Sequence, residues 1–164
     1  KGQLVIIVAG ANEAVAMIEP LFAVIGRRTA IVGEVPEKAN LFKIAGNFLI
    51  ASAMESMGEA FALLAKGGVD PKLFHEVISS TLFAAPIYQN YGGIIVAEKF
   101  EPAGFALKLG LKDVDLARDA AGELKVPMAF GEILHEHFTE AVRQGMGEKD
   151  WSSIARFIAE KAGL

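Results

Sequence analysis

The chain has 164 residues, of which 52% are hydrophobic and 22% charged, with a net charge of −4, a mean hydropathy of +0.37 and no cysteine. This length provides for one domain, or one domain plus a fragment, with a sizeable core. The lack of cysteine excludes disulfides and thiolate chemistry and fits a cytoplasmic location. The sixteen Lys and Arg residues are scattered along the chain, which excludes the clustered positive charge that nucleic acid binding needs.

The opening segment, KGQLVIIVAGA, superficially imitates a signal peptide, but its apolar run is short and Asn12-Glu13 follow directly. We interpret Leu4–Ala9 as a strand covered on both faces, because β-branched and aliphatic residues run through it without interruption. A helix then begins at Asn12 or Glu13 and ends at Gly26, and Thr29–Val32 is a second short strand. Such a β-α-β unit is too small to bury itself, so it resembles the tail of a larger α/β sheet.

A long helix is predicted from about Ala39 to Gly67. Its apolar run, Phe48–Ala65, is long enough to suggest a membrane span. Glu55 and Glu59 lie on one face inside this run at i, i+4, and charged residues are rare within membrane spans. We therefore expect a buried helix of a soluble protein and no membrane partner.

Further helices follow. Asp70-Pro71 is an N-cap followed by the proline that helices favour at their first position. Residues 84–93 are expected to be irregular or a short helix, and residues 100–104 a loop. The remaining predicted helices are Phe105–Leu124, Phe130–Gln144 and a last one capped by Asp150. The predicted fold class is mainly α, with an all-helical domain at residues 37–164 preceded by a β-α-β remnant of a Rossmann domain at residues 1–36.

Histidine spacing argues against a metal site. His135 and His137 lie two apart on a predicted helix, so they point roughly 200° apart, and His75 is isolated. No metal is therefore expected. The chain also lacks the G-x-G-x-x-G turn that a complete dinucleotide-binding domain would contain, since Gly145-Met146-Gly147 follows a helix and lacks the third glycine.

Two lysines are candidates for chemistry. Lys43 and Asn47 are four residues apart and share one helix face, where an amine in apolar surroundings could exchange a proton beside an amide that binds a substrate oxygen. The alternative is that Lys43 simply reaches water, as most lysines do. Lys112, followed by Asp113, would interrupt an apolar stripe formed by Phe105, Leu109 and Leu116. It needs either a partner or a route to solvent.

The order of these motifs resembles the C-terminal part of the β-hydroxyacid dehydrogenases, which include 3-hydroxyisobutyrate dehydrogenase and tartronate semialdehyde reductase and are related to 6-phosphogluconate dehydrogenase. "KIAGN" resembles the family motif K-x-x-N-N at the start of a long interdomain helix, and "FALKLGLKDVDLA" resembles F-x(6)-K-D-L-x-L-A. The resemblance extends over the whole chain, including "GANEAVAMIEPLFAVIG".

The resemblance implies hydride exchange between NAD or NADP and the carbon that bears a substrate hydroxyl. Lys43 would be the general acid/base, and Asn47 would bind the substrate oxygen or position the lysine. Lys112 would lie against the cofactor, and Phe105 and Asp113 would shape the substrate pocket. The family also suggests a homodimer and a small hydroxyacid substrate.

Departures from the family pattern affect the substrate more than the reaction. Gly46 replaces the first Asn, and Glu37 and Ala39 replace the glycines that usually precede the lysine. Gly46 also argues against true 6-phosphogluconate dehydrogenase, which carries His there, and the presence of Lys43 argues against the related imine reductases.

The chain lacks the family's phosphate loop and serine-glycine-glycine substrate turn, so we expect a fragment that is inactive by itself. One alternative is a non-catalytic helical dimerisation or interaction module of the same fold. Another is an unrelated small-molecule-binding helical protein, which only the apolar composition favours.

Overall fold

The computed structural model describes residues 2–164, so Lys1, the basic start of the opening segment, lies outside the described residues. Within this range the chain forms seven α-helices and a two-stranded parallel sheet, which confirms the predicted mainly α fold after a short β-α-β remnant. In chain order the elements are β1 (Leu4–Val8), α1 (Asn12–Ile25), β2 (Gly26–Ile31), α2 (Glu37–Lys66), α3 (Pro71–Ser80), α4 (Pro86–Val96), α5 (Leu107–Glu123), α6 (Ala129–Ala141) and α7 (Ile154–Lys161).

The structure divides into two compact units, one ending at Gly46 and the other running from Asn47 to Leu164. Helix α2 continues through this division and begins at Glu37. The domain boundary placed after residue 36 from the sequence stays a prediction.

The first unit contains the β-α-β arrangement. Strands β1 and β2 are parallel, with Val5 opposite Arg28 and Val8 opposite Ile31. The expectation that β1 is covered on both faces is wrong, because Leu4 is 60% and Val5 50% exposed. Two strands and one helix bring too little chain together to cover both faces of a sheet, and apolar side chains of α1 are exposed as well, namely Met17, Ile18, Leu21, Val24 and Ile25.

The second unit has a continuous hydrophobic core. Helix α2 contributes Met54 and Phe61 to it, and the later helices contribute the other large apolar side chains, including Leu107, Val114, Leu134, Phe138, Ile154 and Phe157. By length and composition α2 is one helix that could cross a membrane, a test that the core helix of a folded unit also passes. Its packing in this core is the arrangement that the Glu55–Glu59 pattern predicted.

Local capping explains where α3 begins. The Asp70 carboxylate accepts a hydrogen bond from the Lys72 backbone N–H at 2.9 Å, with Pro71 at the first position of α3, as predicted. Of the two alternatives predicted for residues 84–93, the short helix is confirmed, because α4 is a regular helix of 11 residues. Gly92 lies inside this helix, and a Cβ there would clash with the ring of His75. Close packing therefore accounts for this glycine.

Helices α2 and α7 approach closely at Gly58. A Cβ at this position would lie 2.9 Å from both the Cα of Ala155 and Cδ1 of Ile158. We expect Gly58→Ala to lower the free energy of unfolding by about 1–3 kcal/mol, because the backbone of α7 must shift. Gly122→Ala is the matched control, since no atom of another described element lies within 4 Å of its added Cβ, and there alanine should stabilise α5 by up to about 1 kcal/mol. Chemical denaturation measures both, and equal effects of the two substitutions would contradict this packing.

Candidate functional site

Asn47 and Asp113 are joined across two helices of the second unit. The amide Nδ2 of Asn47 on α2 donates a hydrogen bond to Oδ2 of Asp113 on α5 at 2.5 Å. Asp113 is only 5% exposed. A carboxylate accepts hydrogen bonds, so the amide must turn its Nδ2 towards Asp113, and its carbonyl oxygen Oδ1 then points elsewhere. The hydrogen bond to Asp113 thus fixes the orientation of the Asn47 amide and leaves its Oδ1 to accept a hydrogen bond from another group.

Lys43 lies one turn before Asn47 on the continuous helix α2, as the spacing predicted. It is exposed, and the neighbouring apolar side chains of this stretch are exposed too: Leu41 by 41%, Phe42 by 52% and Leu49 by 67%. The expectation that apolar surroundings shield this amine from water stays a prediction. A stretch of exposed leucine and phenylalanine around a lysine is typical of a surface that further protein or a ligand covers.

Phe105 lies just before α5 and is held there by Asp150 and Trp151. Oδ2 of Asp150 accepts from the backbone N–H of Phe105 at 3.2 Å and of Gly104 at 3.0 Å, and the Phe105 ring lies 4.9 Å from the Trp151 ring. The other oxygen, Oδ1, accepts from the N–H and the hydroxyl of Ser152. Sequence reasoning assigned Asp150 only a capping role and missed that this buried carboxylate also fixes Phe105. A lone Trp directly after a capping Asp is a weak signal for such a contact.

Lys112 lies on the exposed side of α5. The buried side of this helix carries Leu107, Gly110, Asp113, Val114, Ala117 and Ala121. Leu109 and Leu116, predicted to share the buried stripe with Lys112, are 43% and 41% exposed, so the predicted stripe is not the core face. The side of α5 that carries small residues faces the core instead, because Gly110 packs against Phe138 and Trp151. Lys112 consequently needs no buried partner, and its charged group is accessible.

The two histidines of α6 contact different partners. His135 Nδ1 lies 2.6 Å from Oδ1 of Asp115, and His137 Nδ1 hydrogen-bonds Oε1 of Glu55. Among residues 2–164 no cluster of three or more His, Cys, Asp or Glu side chains is arranged to hold a metal ion.

Comparison with known proteins identifies the class. A family model described as the NAD-binding part of NADP-dependent 3-hydroxyisobutyrate dehydrogenase matches residues 38–158. The match covers most of the chain, so the chain belongs to this family of nicotinamide-binding oxidoreductases. This confirms the resemblance drawn from the motifs around Lys43 and Lys112.

The individual relatives that the chain matches agree with this family assignment. The chain is 40% identical over 158 residues to the uncharacterized oxidoreductase YfjR of Bacillus subtilis, covering 96% of this chain and 55% of that protein. It is 27% identical over 166 residues to mitochondrial 3-hydroxyisobutyrate dehydrogenase of Rattus norvegicus, covering 98% and 49%. The crystal structure of 3-hydroxyisobutyrate dehydrogenase (ygbJ) from Salmonella typhimurium has the same fold, with a TM-score of 0.83 and 21% identity over 90% of this chain and 52% of that one. The chain spans about half the length of the curated relatives it matches.

Proposed function

We propose that the chain is the helical portion of an NAD- or NADP-dependent dehydrogenase that interconverts a small β-hydroxyacid and its semialdehyde. One observation carries the proposal: α2 places Lys43 one turn before an asparagine whose amide is oriented by the buried Asp113. A helical module without chemistry has no need to orient an amide beside a lysine in this way.

Lys43 is the proposed general acid/base. In the oxidative direction the C–H bond at the carbinol carbon breaks as hydride leaves, and the substrate O–H bond breaks as its proton passes to the neutral amine of Lys43. The carbon–oxygen bond becomes a carbonyl. In the reductive direction the ammonium of Lys43 returns the proton to the carbonyl oxygen. A positioned side chain that transfers this proton contributes about 10²–10⁴-fold to the rate.

Asn47 is the proposed positioning and substrate-binding residue. Its Nδ2 is committed to Asp113, so its Oδ1 is left to accept a hydrogen bond from the substrate hydroxyl or from the Lys43 ammonium. Either contact would hold the amine and the hydroxyl in the relative orientation that proton transfer requires. Phe105, fixed by Asp150 and Trp151, is proposed to form a wall of the substrate pocket.

The cofactor side of the site is only partly supplied by this chain. Nicotinamide would accept or return the hydride. The exposed Lys112 lies directly before the buried Asp113 on α5, and its accessible cation suits a phosphate or ribose oxygen. The sequence contains no glycine-rich phosphate turn. The residues present therefore fit one edge of a dinucleotide, and NAD and NADP both remain candidates.

We propose that catalysis requires the longer protein, and that the chain alone is inactive. The chain covers about half of its relatives, and the exposed apolar side chains of α1 and of the stretch around Lys43 are suited to contact with further protein. Within a full-length protein that contact would also remove water from around the Lys43 amine. A homodimer is proposed as well, because exposed leucines such as Leu49 and Leu63 lie along α2.

The function is tested by assaying the full-length protein with NAD⁺ or NADP⁺ and a set of small β-hydroxyacids. We expect reduction of the nicotinamide that depends on the hydroxyacid, and none with the 164-residue chain alone. The alternative, a non-catalytic dimerisation or interaction module, predicts no turnover from either protein while self-association persists. An in-frame G-x-G-x-x-G turn encoded upstream would favour the dehydrogenase.

The proposed role of Asp113 makes a separate prediction. Asp113→Ala in the full-length protein should lower kcat by about tenfold to a hundredfold, because the Asn47 amide is then free to rotate. Asp113→Asn should restore part of the loss, since its side-chain oxygen can still accept from Nδ2 of Asn47. The dissociation constant for the cofactor should change little in both variants. Equal losses in the two variants, or a loss confined to cofactor binding, would contradict a positioning role.

A further inference from the structure

A buried carboxylate lies in the middle of α2, away from Lys43 and Asn47. Glu55 is 0% exposed, and its Oε1 is hydrogen-bonded by Nδ1 of His137 on α6. Its second oxygen, Oε2, is buried and has no hydrogen-bond partner among residues 2–164. Buried polar atoms almost always have partners, so an unpaired carboxylate oxygen in a core needs an explanation.

The charged groups around Glu55 come from three helices. Glu59 lies one turn further along α2 and is exposed. On α7, Nζ of Lys161 lies 3.4 Å from Nε2 of His137 and 5.4 Å from the centre of the Phe157 ring. On α6, Glu140 interacts with Lys161, and His135 contacts Asp115 of α5 instead of Glu55.

We propose that Glu55 and His137 form a proton-dependent latch between α2 and α6. When Glu55 holds a proton, a neutral carboxyl group is buried against the imidazole. When it loses that proton, a negative charge with one unsolvated oxygen is left in the core, and conformations that admit water to Glu55 gain population. The buried contact between Glu55 and His137 is therefore most stable at acidic pH and becomes less stable as the pH rises.

The direction of this effect follows from burial. Burial raises the pKa of Glu55 above its ordinary value of 4.5, the hydrogen bond and charge of His137 partly oppose that rise, and Glu59 adds to it. Between 4.5 and the higher folded-state pKa, the folded chain holds a proton that the unfolded chain has released. Folding takes up a proton in this window, so the contribution of Glu55 is fully present below pH 4.5 and is lost as the pH rises through the folded pKa.

Glu55→Gln tests the latch, because the amide has the shape of the carboxyl group, stays neutral at every pH and can still accept from Nδ1 of His137. Unfolding midpoints of the 164-residue chain and its variants are measured from pH 4.5 upwards into the alkaline range. The wild-type midpoint should fall, relative to that of Glu55→Gln, as the pH rises. Glu59→Gln, the same change one turn along the same helix at an exposed position, should keep the fall of the midpoint with rising pH, displaced to lower pH because the charge of Glu59 no longer raises the pKa of Glu55. Parallel curves for wild type and Glu55→Gln would overturn the proposal.

A measurement on the unmodified protein does not depend on how a variant folds. In a chain with ¹³C-labelled glutamate side chains, the Glu55 carboxyl resonance should titrate above the ordinary glutamate pKa of 4.5. The protection of the α2 and α6 amides against exchange, relative to the intrinsic rate at each pH, should fall over the same pH range. A Glu55 resonance that titrates together with the exposed glutamates would also overturn the latch.

Discussion

Replacing Lys43 with alanine in the full-length protein is expected to lower kcat by about 10²–10⁴-fold, the usual contribution of one positioned acid/base group. The substrate hydroxyl proton then has no nearby amine to receive it, while the contact proposed between Lys112 and the cofactor is not altered. The dissociation constant for NAD or NADP should therefore change little. Steady-state turnover and cofactor titration of the same preparation measure both quantities.

Lys38→Ala is the matched control for this prediction. Lys38 is an exposed lysine on the same helix, and the substitution removes the same charge. It lies five residues before Lys43, which places it about 140° away around the helix, on a different face. Its turnover should stay near that of wild type. Comparable losses in the two variants would show that the helix needs its positive charge and not the amine of Lys43.

Phe138→Ala is expected to give the largest loss of stability, about 3–5 kcal/mol, because it removes a ring from a fully buried position. Phe138 on α6 is 0% exposed, and its Cε1 lies 3.0 Å from where a Cβ on Gly110 would be. The surrounding helices are held by many other contacts and cannot fully collapse into the cavity. Denaturant unfolding of the 164-residue chain measures the loss.

Phe130→Ala provides the comparison on the same helix. Phe130 is 37% exposed and meets Phe48 edge-on, with ring centres 6.4 Å apart. Truncating it removes less buried area and leaves no closed cavity, so the loss should be about 1 kcal/mol. A larger loss from Phe130→Ala than from Phe138→Ala would contradict the position of the core.

Much of the fold could be predicted because local signals agree with it. The Asp70-Pro71 cap, the Gly67-Gly68 end of α2 and the apolar spacing of α5 and α6 each act over one or two turns. Prediction failed where the deciding contact is distant in sequence. Residues 84–93 stayed open between irregular structure and a short helix, because the ring of His75 on α3, which requires a glycine at position 92 of a regular helix, is distant in sequence. Likewise, helical spacing alone could not choose between two apolar stripes of α5.

The candidate site shows the same limit of sequence information. Lys43 and Asn47 could be paired from their spacing because they lie on one helix. The hydrogen bond from Asn47 to Asp113 joins residues 66 apart in sequence, so only the fold brings them together. Glu55 and Glu59 looked equivalent in the sequence, yet the structure buries one against His137 and exposes the other.

Amine rescue is the most direct test of the claim that Lys43 carries the proton. Ethylamine added to the full-length Lys43→Ala protein can occupy the space left by the side chain and supply the missing group. The account predicts that turnover of Lys43→Ala rises in proportion to the ethylamine concentration, while that of Lys38→Ala does not change. A Lys43→Ala protein that turns over at the wild-type rate without any added amine would contradict it.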